Sequence, residues 1–189
     1  MKVLMIEPTP NPNAYKFVLD TAVSEKGAQQ FSNREEARGN DLALALFGVA
    51  GVTSVFCARN FVTLTLAPGS TLDAVGPQVG SILERHRAPS ARAVAGKGEG
   101  TKGAGPAKAA SPEQSRLLAR ITGVLEQKVI PALAMDGGGV KVMGLEGKKL
   151  RIRYQGACGS CPGATMGTLM AIQSLLKSEV DPDLVVEPA

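Results

Sequence analysis

Tryptophan is absent, histidine occurs once, and aromatic residues make up only 4% of the chain. Surfaces that hold nucleic acid by stacking bases need aromatic side chains, so no nucleic-acid partner is expected. A net charge of +4 over 189 residues adds little to that case. Cysteine is scarce too. Cys57, Cys158 and Cys161 are an odd and small number, unlike the paired framework of a secreted disulfide scaffold. No apolar run approaches the roughly 20 residues of a membrane-spanning helix. The apolar stretch in Met1–Glu7 is too short for a signal peptide and lacks a small-residue cleavage site. Together these absences lead to the expectation of a cytoplasmic protein in a reducing compartment, with no membrane partner.

What is present can build cores, since 44% of the residues are hydrophobic. Val3 to Ile6 and Tyr15 to Leu19 read as strands, separated by the proline-rich connector Thr9-Pro10-Asn11-Pro12-Asn13. Asn33 to Arg38 is polar and compatible with a helix. Asp41 is placed to cap a short helix, Leu42 to Phe47, which Gly48 ends. Val52 to Phe56 and Val62 to Leu66 are β-rich runs whose junction at Arg59-Asn60 predicts a hairpin. Thr71 is placed to cap a helix running to about Arg85, with Pro77 expected either to bend it or to mark its start.

From Ala88 the texture changes. Pro89 to Ala110 is Ala, Gly, Lys, Pro and Ser with almost no large apolar residue, a composition that cannot form a core. It reads as a flexible linker spanning about 25 Å, across which the flanking domains would reorient freely. The expected fold is α+β: two small domains, residues 1–88 and 111–189, joined by residues 89–110.

The second domain opens on Ser111-Pro112-Glu113-Gln114, a capping-box pattern. Leu117, Leu118, Ile121, Val124, Leu125 and Val129 then share a helix face, with a disturbance expected at Pro131. A turn at Gly137-Gly138-Gly139 leads into a strand, Val140 to Leu145, and Glu146-Gly147-Lys148 turns it back into Lys149 to Tyr154. A helix follows from about Pro162 to Thr165 onward, and Leu184-Val185-Val186 closes the domain as a strand. The order is α-β-β-α-β.

Between the second strand and the last helix lies Gly156-Ala157-Cys158-Gly159-Ser160-Cys161-Pro162-Gly163. Thiols three positions apart, on a glycine-rich turn at the positive end of a helix, are predisposed to ionise and to bind a soft metal centre. Three chemistries use such a pair: half of an iron–sulfur site, half of a structural zinc site, or a redox dithiol. A cubane cluster or a tetrahedral zinc wants four ligands. This domain has two cysteines and no histidine, with Asp136 and Asp181 as the alternative ligands considered. Cys57 and His86 belong to the other domain, where they read as a core residue and a helix-end residue. Two strong ligands per chain point to a site shared by two chains, four thiolates in all.

The chain resembles the NifU-like (Nfu) iron–sulfur scaffold and carrier family over nearly everything except the linker. In the C-terminal domain the resemblance is carried by Ile130-Pro131-Ala132-Leu133, Asp136-Gly137-Gly138-Gly139, Gly156-Ala157-Cys158, Cys161-Pro162 and Thr168-Leu169. In the N-terminal domain it is carried by Thr9-Pro10-Asn11-Pro12-Asn13, Lys16-Phe17, Leu46-Phe47, Gly51-Val52 and Asn60-Phe61-Val62-Thr63. The resemblance implies a carrier, not an enzyme. It implies a [4Fe–4S] cluster bridging a homodimer through Cys158 and Cys161 of each chain, received from upstream assembly machinery and passed to apo iron–sulfur proteins. A thiol–disulfide oxidoreductase and a zinc-stapled dimer remain as alternatives, to be separated by metal and sulfide analysis.

Overall fold

The computed structural model describes residues 1–24, 27–86, 112–160 and 162–189, with side chains for all of these but 112, 160 and 162–166. The expected linker at 89–110, the capping Ser111 and Cys161 lie outside the described residues.

The N-terminal domain is a five-stranded antiparallel sheet with two helices on one face. Its strands are β1 (Val3–Pro8), β2 (Ala14–Leu19), β3 (Gln29–Phe31), β4 (Val52–Ala58) and β5 (Phe61–Leu66), in the order β1-β2-β5-β4-β3. Alternation along the strands sends Phe17, Leu19, Val55, Cys57, Val62 and Leu64 to the helix side. There they pack with Leu42 and Leu46 of α1 (Asp41–Leu46) and Val75, Val79 and Leu83 of α2 (Leu72–Arg85). The Arg59-Asn60 hairpin forms as expected, Ala58 pairing with Phe61 and Arg59 taking φ +47°.

Several local expectations are corrected. The cap of α1 is Asn40, not Asp41: its Oδ1 accepts the Ala43 N–H at 3.0 Å, and Asp41 falls in the first turn. Thr71 precedes α2 but its side chain makes no capping bond, and Pro77 sits within the helix without setting its start. Asn33 to Arg38 forms turns, not a helix: the Asn33 side chain accepts from the Glu36 N–H and the Glu36 carboxylate accepts from the Ser32 N–H. Such side-chain bonds offer the backbone an alternative to the helical ladder. Strand β3 has only three residues and no alternation to reveal it.

In the C-terminal domain α3 (Pro112–Val124) runs through a π-helical turn (Leu125–Val129) into α4 (Ile130–Met135). Pro131 lacks an N–H and its ring crowds the preceding turn, and the helix widens just before it, Ile130 N–H bonding back to Leu125 O. A three-stranded sheet follows, β6 (Gly138–Glu146), β7 (Lys149–Gly156) and β8 (Val185–Pro188), with α5 (Pro162–Glu179) connecting β7 to its parallel neighbour β8. Ile121, Leu125, Leu150, Ile152, Ile172, Leu176 and Leu184 form the core beneath it. Among the described residues no helix is long and apolar enough to cross a membrane.

The two domains do not stand apart as expected. Strands β4 and β5 lie against β7, and β5 also meets the turn that carries Cys158. The second face of the N-terminal sheet is the reason. Phe56, Ala58 and Phe61 point away from α1 and α2 and cluster with Ala134 of α4, leaving Phe56 1% exposed. Burying such a ring stabilises by about 2 kcal/mol, so an uncovered N-terminal sheet would leave a large apolar side chain in water.

Candidate functional site

Strand β7 ends at Gly156 and passes through a single 3-10 turn, Ala157–Ser160, before α5 starts at Pro162. Cys158 therefore sits on a strand-to-helix junction, on the side of the positive N-terminal end of α5, which is 18 residues long. The turn is closed by backbone: Ala157 N–H donates to Gly137 O at 3.2 Å, and Gly138 pairs with Gly156 across β6 and β7.

Glycine is required here on steric grounds. A Cβ on Gly138 would lie 2.5 Å from Cys158 Sγ and 3.0 Å from Gln155 O. Gly156 has φ +65°, and its Cβ would lie 2.5 Å from Gly137 O and 2.8 Å from Phe56 Cδ1. The thiol of Cys158 thus packs inward on Gly138, and the residue is 8% exposed. Beside it, Tyr154 is 9% exposed, and its buried hydroxyl has no hydrogen-bond partner among the described residues. Burial first, and the nearby Cys158 charge second, push the Tyr154 phenol up to about 12.

The other residues considered as ligands fall elsewhere. Cys57 is 1% exposed in the N-terminal core, and burial pushes its thiol up to about 12, far from an available thiolate. His86 caps the C-terminus of α2, its N–H bonded to Ile82 O. Asp181 accepts the Asp183 N–H at 2.9 Å and is held by Lys148 at 3.2 Å, bonds that keep its carboxyl below the usual range. Lys148 adjoins the start of β7, so Asp181 lies at the far end of an eight-residue strand from the cysteine turn, about 25 Å away. Asp136 closes α4 with an exposed side chain. Among the described residues no three His, Cys, Asp or Glu side chains gather as a metal site.

The sequence did not announce the N-terminal residues that reach this turn. Cross-strand pairing places Glu7, Lys16, Thr63, Phe56 and Gln30 in one row across all five strands. Directly opposed residues share a face of the sheet, and this row faces the glycines of the C-terminal domain. Gln30 Oε1 accepts the Gly156 N–H at 2.6 Å, while its Nε2 donates to Ser54 Oγ. The Phe56 ring covers Gly139 and Gly156, and Thr63 and Lys16 crowd Gly137. Lys16 pairs with Glu7 at 2.8 Å and donates to Met135 O at the C-terminus of α4. From the proline-rich connector, Asn11 Nδ2 donates to Ala157 O at 3.3 Å.

Two family models match separate parts of the chain. Residues 4–89 match the family model "Scaffold protein Nfu/NifU N terminal", and residues 121–187 match "NifU-like domain". The chain belongs to the Nfu family, an α+β protein that joins an Nfu N-terminal domain to a NifU-like domain. Among its relatives, NifU-like protein 4, mitochondrial, of Arabidopsis thaliana is 27% identical over 92% of this chain and 61% of its own length. The human NFU1 iron-sulfur cluster scaffold homolog, mitochondrial, is 29% identical over 92% of this chain and 66% of its own. The chain thus spans about three fifths to two thirds of the length of the curated relatives it matches. A NifU-like protein from Saccharomyces cerevisiae, solved in solution, is 22% identical with a TM-score of 0.38, covering 44% of this chain and 77% of its own.

Proposed function

We propose that this chain is a scaffold and carrier for an iron–sulfur cluster, with no catalytic activity of its own. Two copies would hold one [4Fe–4S] cluster through Cys158 and Cys161 of each. The observation that carries the reading is the placement of Cys158 on a glycine-closed turn at the head of α5, in a chain whose two halves match the two Nfu domains. Relatives bearing the name iron-sulfur cluster scaffold support it. A cluster with four thiolates carries a formal charge of about −2, which backbone amides and a helix N-terminus favour. Transfer would proceed by exchange, acceptor thiolates replacing those of the scaffold one at a time with no change in cluster oxidation state. The cluster would come from assembly machinery and pass to apo iron–sulfur proteins, in a reducing compartment such as the cytoplasm.

The test is anaerobic reconstitution of the full chain followed by visible absorption, iron and sulfide counts, and sizing. About one cluster per two chains is expected, with Cys158→Ala or Cys161→Ala abolishing it and Cys57→Ser leaving it. Zinc without sulfide would indicate a stapled dimer, and a thiol pair that cycles with no bound metal would indicate an oxidoreductase. Either result overturns the carrier reading.

A further inference from the structure

The row Gln30, Phe56, Thr63 and Lys16 meets the cysteine-bearing domain at three glycines, 137, 139 and 156, where an added Cβ would lie 3.0, 3.1 and 2.8 Å from the nearest atom of the row. The fit is specific. Gln30 takes the amide of Gly156 and Asn11 takes the carbonyl of Ala157, the two residues immediately before Cys158. In this arrangement the Cys158 thiol is turned onto Gly138 of its own domain. A cluster bridging two copies needs that sulfur turned outward, toward the partner copy. The sulfur is carried by a short turn whose two preceding residues are held by Gln30 and Asn11.

We propose that the outer face of the N-terminal sheet is a binding surface for the chain's own cysteine turn, and that the docked arrangement is a closed, cluster-free state. It rests on the carrier reading for what opens it, but not for the docking itself. Loading and docking compete for one short segment, so the N-terminal domain sets how readily the thiols become available. Gln30 is the side chain on which this can be read. Its carbonyl oxygen is the acceptor, so Gln30→Ala removes the clasp, whereas Gln30→Glu keeps an acceptor oxygen and, being charged, a stronger one.

Two measurements on the metal-free full chain read the docking: hydrogen exchange of the Gly156 amide, and alkylation of Cys158 resolved from Cys161 by tandem mass spectrometry. Gln30→Ala should speed both by about two- to tenfold, the range over which one lost hydrogen bond shifts an opening equilibrium. Gln30→Glu should exchange no faster than the wild type. Phe56→Leu, which withdraws the ring from Gly139 and Gly156 but keeps an apolar side chain, should move in the direction of Gln30→Ala. Cluster loading under anaerobic reconstitution should then be faster in Gln30→Ala than in the wild type by a similar factor. Equal Gly156 exchange and Cys158 alkylation in all four proteins would overturn the docking surface. Faster alkylation with unchanged or slower loading would overturn the closed state. Should the wild type take up no iron and sulfide at all, the carrier reading fails, while the exchange data still decide the docking.

Discussion

Gly138 offers a direct perturbation of the cysteine turn. Its φ is not in the left-handed region, so alanine can adopt the backbone there and the penalty of Gly138→Ala is steric alone. The added Cβ would meet Cys158 Sγ at 2.5 Å, Gln155 O at 3.0 Å and Cys158 Cβ at 3.1 Å. Rotating the thiol away relieves the first contact but not the other two, because Gln155 O and Cys158 Cβ are fixed by the path of β7 into the turn. Overpacking of this kind costs about 1–3 kcal/mol. For a domain of this size each kcal/mol lowers the melting temperature by about 4–8 °C. Gly144→Ala on the same strand is the control, since nothing lies within 4 Å of its Cβ position, and it should stay within about 0.5 kcal/mol of wild type. Urea and thermal unfolding followed by circular dichroism supply the stability, and alkylation mapped to Cys158 reports the displaced sulfur. If Gly138→Ala unfolds like Gly144→Ala and Cys158 reacts at the wild-type rate, the close packing of sulfur on strand β6 is wrong.

Other outcomes follow from buried groups. The Cys57 thiol is raised from about 9 to about 12 by burial, so the folded chain keeps a proton that the unfolded chain loses. The contribution is intact below about pH 9 and falls by about 1.4 kcal/mol per pH unit as pH rises toward 12. In urea titrations between pH 9 and 11, Cys57→Ala should show a shallower loss of stability than the wild type, and identical slopes would refute the assignment. Tyr154→Phe removes a buried hydroxyl that has no partner among the described residues, so it should leave the metal-free chain unchanged or stabilise it by about 1 kcal/mol. A clear drop in melting temperature would show that the hydroxyl is bonded after all. Gly123 lies inside α3 with nothing within 4 Å of its Cβ position. Gly123→Ala should therefore stabilise by about 0.5–1 kcal/mol, measured by the same melts.

Local chemistry was legible in the sequence wherever one short segment carried the whole signal. Lys149 to Tyr154 alternates, so its strand and its buried face could be read directly, and Leu150 and Ile152 are indeed fully buried. The glycine-flanked thiol pair announced a strand-to-helix turn because no other arrangement suits those residues between those two patterns. Cys57, inside an apolar alternation, read as a core residue and is one. Where two local options were close in energy, the sequence could not choose: Asn40 or Asp41 as the cap, a π turn or a plain kink ahead of Pro131, turns or helix at Asn33 to Arg38. The row that grips the cysteine turn was beyond it altogether. Gln30 and Phe56 are 26 positions apart and Gly156 is another 100 beyond, and nothing in any of their neighbourhoods marks them as partners. Strand register decides that Gln30, Phe56, Thr63 and Lys16 share a face. Only the burial of that face by the second domain decides that it meets three glycines, because a contact between distant segments is set by packing of whole elements and leaves no periodicity in either one.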